Sequence, residues 1–190
     1  LKLKKEMAKY AMTGKGVAIT SYEPRGSLEE AVALAVVPVG ELHAARGVPK
    51  RIAFDSLTAC AFLRGEIQEI FGLDQFVRDM LHYTSDWDVS QEEWLDMVRR
   101  GSYMERCYCI REGYLPERDD VLPDRFFEET IYSKYGEPNI LKREEFLDKR
   151  EKTYLAFELN RKGIPPKENL KKLGMEFVIP TLEKSLPGWE

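Results

Sequence analysis

Cysteine is scarce here and poorly spaced for the uses that need it in sets. The 190 residues hold three, Cys60, Cys107 and Cys109. No two form a Cys-x-x-Cys pair and one thiol is left over, which argues against a disulfide scaffold and for a reducing compartment, the cytoplasm. With only two histidines there is no His-Glu-x-x-His site, and Gly-x-Gly-x-x-Gly, Walker and Gly-x-Ser-x-Gly loops are missing too. A net charge of −4 supplies no concentrated basic face for nucleic acid, and the short clusters Lys2 to Lys5 and Arg161-Lys162 read as solvated surface. No apolar run approaches the roughly 18 residues of a membrane span, and the charged start Leu1-Lys-Leu-Lys-Lys is not a signal peptide. Internal repeats and low-complexity segments are missing as well. The first residue is not Met, which reads as a piece or a processed form of a longer protein.

What remains is ordinary for a globular protein, 43% hydrophobic and 33% charged, enough for one sizeable core. The patterning predicts a mainly α fold, an irregular helical bundle. Leu1 to Met12 reads as a short helix broken by Thr13-Gly-Lys-Gly16, and residues 17–22 as an extended segment entering a proline turn at Glu23-Pro-Arg-Gly26 with an exposed Arg25. Ser27 with Glu30 is a capping box for a buried helix over 31–37, ended by Pro38 and Gly40. After Gly72, Phe76, Val77, Met80 and Leu81 recur at helical spacing. Ser90 with Glu93 opens a long helix to Gly113, whose Trp94, Met97, Val98, Met104, Tyr108 and Ile110 read as a core stripe. Cys107 and Cys109 fall on different faces of that helix, poor geometry for chelation. Residues 114–137 read as an irregular connection in which Arg118, Asp119, Asp120, Asp124 and Arg125 make local ion pairs. A connection so long is expected to cover something. An amphipathic helix over 141–160 and a short one over 166–173, stopped by Gly174, complete the chain.

One stretch sets an acid and a thiol inside an apolar run: Arg51-Ile-Ala-Phe-Asp55-Ser-Leu-Thr-Ala-Cys60-Ala-Phe-Leu63. Burying an unpartnered carboxylate costs about 1–3 kcal/mol or more, so Asp55 has a task, as a helix N-cap or as a ligand-binding acid. Cys60, flanked by Ala59, Ala61 and Phe62, reads on its own as a small buried hydrophobe. His43 lies nearby between the breakers Gly40 and Gly47, and as a lone histidine it also fits a structural hydrogen-bonding role.

Four ordered blocks resemble the tungsten-containing aldehyde ferredoxin oxidoreductase family. Asp55-Ser-Leu-Thr-Ala-Cys60 is similar to its Asp-x-x-Gly-Leu-Cys motif, with Thr58 and Ala59 replacing Gly and Leu. Glu105-Arg-Cys-Tyr-Cys-Ile-Arg-Glu-Gly113 resembles Arg-x-Phe-Asn-x-Arg-Glu-Gly, with Cys109 in place of Asn. Asp119-Asp-Val-Leu-Pro-Asp-Arg125 resembles Asp-x-Leu-Pro-x-Arg-Phe, and Arg161-Lys-Gly-Ile-Pro165 with Leu170-Lys-Lys-Leu-Gly174 resembles the closing pattern. Tyr22-Glu-Pro-Arg25 is similar to Tyr-Asp-Pro-Arg, and Gly40 with His43 to Gly-x-x-His; a basic residue that some members carry two positions after that His is Ala45 here.

The resemblance implies that residues 1–190 are the C-terminal helical portion of such an enzyme, without its N-terminal pterin-holding part. It implies an oxidoreductase that converts an aldehyde to a carboxylic acid with tungstopterin and a [4Fe–4S] cluster and passes electrons to ferredoxin. In that scheme His43 assists at the substrate oxygen, Asp55 and the backbone of Ala59 hold the pterin, and Cys60 is one cluster ligand. The other three thiolates would come from the missing N-terminal part or a partner subunit. Two other readings stand beside it: the tungsten subunit of an aryl-CoA (benzoyl-CoA type) reductase, and a helical interaction module derived from the family without redox activity.

Overall fold

The computed structural model describes residues 11–19, 23–38 and 73–189. A hairpin comes first, Thr13–Gly14 (β1) antiparallel to Val17–Ala18 (β2), with Gly14 opposite Val17. The turn between them is therefore two residues, Lys15 and Gly16, both at positive φ (50° and 79°). A 3₁₀ turn, Pro24–Gly26, follows where the proline turn was expected. Its Arg25 is not exposed. It is buried against the Phe126 ring (5.2 Å), paired with Glu23 at 2.7 Å, and it donates to the carbonyl of Glu129 at 2.8 Å.

Both helix starts read from caps are present. Ser27 Oγ accepts from the amide of Glu30 (3.3 Å) at the head of α1, Leu28–Val36. At the head of α3, Gln91–Arg111, Ser90 and Glu93 exchange both bonds of a capping box, at 3.2 and 2.9 Å. Between them α2 spans Leu73–Ser85. The expected core stripe of α3 needs correction, because Met104 and Tyr108 are 41% and 56% exposed while Tyr103, Arg106 and Cys107 are buried. The reason is a change of phase. The first half of α3 packs Trp94 and Val98 with Val77, Leu81 and Val89 in a small cluster, and its second half turns Tyr103, Cys107 and Ile110 into the main core. One helix serving two clusters buries different faces in its two halves.

Residues 114–137 are not an irregular cover. They form two single-turn helices, Pro116–Asp119 (α4) and Arg125–Glu128 (α5), and the first strand of a hairpin between Ile131–Tyr132 (β3) and Pro138–Asn139 (β4). Tyr114, Leu122 and Phe126 from this region enter the main core. The helix expected over 141–160 is shorter, Arg143–Ala156 (α6), and buries only Phe146 and Tyr154. It packs on α1. Lys167–Lys172 (α7) stops before Gly174, at φ 66°, and Ile179–Ser185 (α8) lies against α3. Helices dominate, as the patterning predicted. No described helix is long and apolar enough to cross a membrane.

Candidate functional site

The centre of the main core is ionic. Asp120, wholly buried, receives four donors. Its Oδ1 takes the Tyr114 hydroxyl and the Lys15 ammonium, the latter at 2.9 Å. Its Oδ2 takes the Tyr154 hydroxyl at 2.7 Å and Arg106 Nη1 at 3.2 Å. A carboxylate offers about four lone-pair positions, so this one is saturated. The correction to sequence reading is direct: Asp120 makes no local surface pair with Arg118, which instead binds Asp119 at 2.7 Å. The backbone carbonyl of Asp120 accepts from Arg150 at 2.9 Å.

The two cations held by Asp120 turn outward from it to backbone. Arg106 Nη2 donates to the carbonyl of Val36 at 2.7 Å, and its Nη1 reaches the carbonyl of Gly163 at 3.0 Å and the Tyr114 oxygen at 2.9 Å. Lys15 Nζ donates to the carbonyl of Ala35. Ala35 and Val36 are the last two residues of α1, whose final carbonyls have no partner within the helix and whose end carries roughly half a negative charge. That end has no glycine in the left-handed conformation and no basic residue in its last turn. It is closed from a distance, by a hairpin tip and by α3. Two cations thus face one carboxylate plus the partial negative charge of the helix end. Just past the end of α6, Tyr103 of α3 donates to the carbonyl of Glu158 at 2.8 Å and Asn169 of α7 joins at 2.9 Å.

Burial, with the Asp120 carboxylate beside them, pushes the Tyr114 and Tyr154 phenols well above their ordinary range, so both keep their protons and donate them to Asp120, while the Tyr114 oxygen also accepts from Arg106. Burial also draws the Lys15 ammonium below its usual value against the opposing pull of Asp120. For Arg106 burial works against the charge, but Tyr114, Asp120 and Tyr154 outweigh it and hold the guanidinium cationic. With every lone pair taken and every phenol proton engaged, this hub anchors chain and does not transfer protons. Beside it lies a cavity of about 460 Å³, mostly apolar, lined by Val36, Pro38, Trp94, Val98, Tyr103 and Phe157, with Arg106 in its wall.

The described residues do not fit a metal or iron–sulfur centre. Among them no group of three or more His, Cys, Asp or Glu side chains converges. Burial pushes the Cys107 thiol up to about 12 and raises that of Cys109, the opposite of what a thiolate ligand needs. The residues expected to carry chemistry, His43, Asp55, Ala59 and Cys60, lie outside the described residues, as do residues 1–10 of the expected first helix. The chain enters that stretch two residues after the pinned end of α1 and returns at Leu73, where α2 begins. The other histidine, His82, is exposed and pairs with Asp88 at 2.7 Å, away from the hub.

Sequence reasoning did not anticipate the hub. Arg106 and Asp120 sit in separate motif blocks, and the structure brings the two together across 14 residues. The available signal was an arginine at helical spacing from the apolar Tyr103 and Ile110 of α3. A family profile described as aldehyde ferredoxin oxidoreductase, domains 2 and 3, matches residues 48–175, a span that holds Asp55, Ala59, Cys60, Arg106 and Asp120 but not Lys15 or His43. Among curated proteins, the tungsten-containing aldehyde ferredoxin oxidoreductase of Pyrococcus furiosus is 28% identical over 190 residues, 87% of this chain and 31% of that protein. The enzyme of the same name from Pyrococcus abyssi is 32% identical over 131 residues, 67% of this chain and 21% of that protein. That from Thermococcus kodakarensis is 26% identical, again over 87% and 31%. The matched part of the chain thus corresponds to about a fifth to a third of these relatives' length.

Proposed function

The chain belongs to the aldehyde ferredoxin oxidoreductase family, and from that premise we propose that it is the C-terminal helical portion of a tungstopterin, iron–sulfur oxidoreductase. The reaction we infer for the assembled protein is oxidation of a small aldehyde to its carboxylic acid, with ferredoxin taking the electrons. The observation that carries this reading is the profile match itself, whose span includes Asp55 to Cys60 and both blocks that meet in the hub. In this reading Cys60 supplies one thiolate to a [4Fe–4S] cluster, Asp55 and the backbone of Ala59 contact the pterin, and His43 donates a hydrogen bond or proton to the substrate oxygen. An imidazole titrates near neutrality, which suits that task. The shifted pKa values of Cys107 and Cys109 support Cys60 as the ligand by leaving it the chain's one other thiol. Three thiolates must then come from outside this chain, so alone it is expected to be inactive. The free thiols of Cys107 and Cys109 favour a reducing compartment, the cytoplasm.

The test is assembly with the N-terminal portion of a relative, followed by tungsten and iron analysis and electron paramagnetic resonance of the reduced protein. Cys60→Ala is expected to abolish or convert the cluster signal and Cys109→Ala to leave it intact; the reverse pattern would sink the assignment. His43→Asn is expected to lower turnover by about 10²–10⁴-fold with both metals retained. A stable, colourless, metal-free assembly would instead favour the helical interaction module.

A further inference from the structure

Lys15 occupies an unfavourable place. A two-residue hairpin turn with both residues at positive φ takes Asn, Asp or Gly first, because a longer side chain crowds the left-handed backbone. Here the first position, at φ 50°, is a lysine. Its side chain does not stay in solvent at the hairpin tip. It runs into the core, 9% exposed, crosses near the Tyr114 ring (5.5 Å), and ends between Asp120 Oδ1 and the carbonyl of Ala35. Backbone strain of this kind persists where the surroundings enforce it, and here the surroundings are the far end of another element.

We propose that Lys15 is a positioning residue: with Arg106 it closes the end of α1 and so fixes the point from which the chain passes into residues 39–72, the stretch with His43, Asp55, Ala59 and Cys60. The role of that stretch rests on the functional reading above; the positioning rests on the geometry of the hub. Three features separate it from ordinary core stabilisation. The carbonyls held are those of the last two helical residues, Ala35 and Val36. The helix offers no local device that would set its exit, since its C-cap, Val37, is extended (φ −65°, ψ 118°) and runs directly into Pro38. The two cations come from different elements and meet through Asp120 and Tyr114, so the exit is fixed relative to β1–β2 and α3 together.

Two variants separate turn strain from reach. Lys15→Asn suits the turn better but is too short to reach the helix end, and Lys15→Met keeps the stem without the charge. In the full chain, hydrogen exchange read by mass spectrometry is expected to speed up at least tenfold in peptides covering residues 31–38 for both variants, with residues 91–111 and 143–175 unchanged. Alkylation by N-ethylmaleimide, resolved by cysteine, is expected to be at least fivefold faster at Cys60 and unaltered at Cys107. Lys15→Arg, which retains charge and length, is expected to restore both rates. Unchanged Cys60 alkylation would overturn the proposal, and so would faster exchange spread evenly over the chain, which marks a merely structural residue. Should the wild-type assembly bind no tungsten or iron, the redox reading fails while these rates still decide the positioning role.

Discussion

Replacing Asp120 by Asn removes one charge and almost no volume, so its cost measures how far the buried cations depend on that carboxylate. In the native hub all four acceptor positions are filled, by Tyr114, Lys15, Tyr154 and Arg106. Asn keeps one oxygen and presents an amide donor in place of the other, so two donors lose their acceptor, and Lys15 and Arg106 face each other without an anion. Two bonds involving charged groups, at about 1.5–3 kcal/mol each, give roughly 3–6 kcal/mol. Breaking a buried ion pair by removing one partner independently suggests about 3–5 kcal/mol. Against a typical total stability of about 5–15 kcal/mol this is severe but measurable. With a urea slope of about 2 kcal/mol per molar, the midpoint followed by far-ultraviolet circular dichroism is expected to fall by about 2 M. Adding Lys15→Met to Asp120→Asn removes one of the stranded cations, so the double variant is expected to cost less than the sum by about 1 kcal/mol or more. A midpoint loss under about 0.5 M for Asp120→Asn, or strict additivity in the double variant, would refute the claim that one carboxylate neutralises this cluster.

Gly163→Ala is expected to cost about 3 kcal/mol, because a Cβ there would stand 2.7 Å from Tyr154 Cζ and 2.9 Å from Pro116 Cβ at φ 74°, and Tyr154 is held by Asp120. Gly136→Ala, at φ 84° but with no heavy atom near, carries only the backbone strain, about 1 kcal/mol, and thermal melts of the pair separate the two terms. Cys107 gives a pH dependence. Its thiol is pushed from 9.0 up to about 12 by burial, so its contribution is complete below pH 9 and is lost as pH rises toward 12, when the unfolded chain releases a proton that the folded chain retains. The upper bound is about 4 kcal/mol. Urea midpoints at pH 8 and pH 10 are expected to diverge more in the wild type than in Cys107→Ala, and equal slopes would count against the buried thiol.

Local chemistry was legible in the sequence and tertiary chemistry was not. Ser27, Ser90 with Glu93, and Gly174 announce helix ends because a cap is a bargain between residues a few positions apart. The partners of Arg25, Lys15 and Asp120 are distant in the chain, and a charge read alone defaults to the surface. Met104 and Tyr108 misled for a related reason. Periodicity assumes that a helix presents one face to one core, and α3 serves two. As for the candidate site, His43, Asp55, Ala59 and Cys60 rest on motif spacing alone, whereas Arg106 and Asp120 lay inside recognisable motif blocks and needed coordinates to reveal that the blocks meet.

The division of α3 between two clusters sets a hierarchy of opening. Among the described residues, the smaller cluster holds α2 against the first turns of α3 through Val77, Leu81, Val89, Trp94 and Val98, and Trp94 Nε1 donates to Asp74 at 3.0 Å. On these described contacts α2 is expected to exchange its amides ahead of the main core. Among the described residues, the chain before residue 39 is tied by the ion cluster at Val36, whereas the helix that begins at Leu73 is held by the smaller apolar cluster.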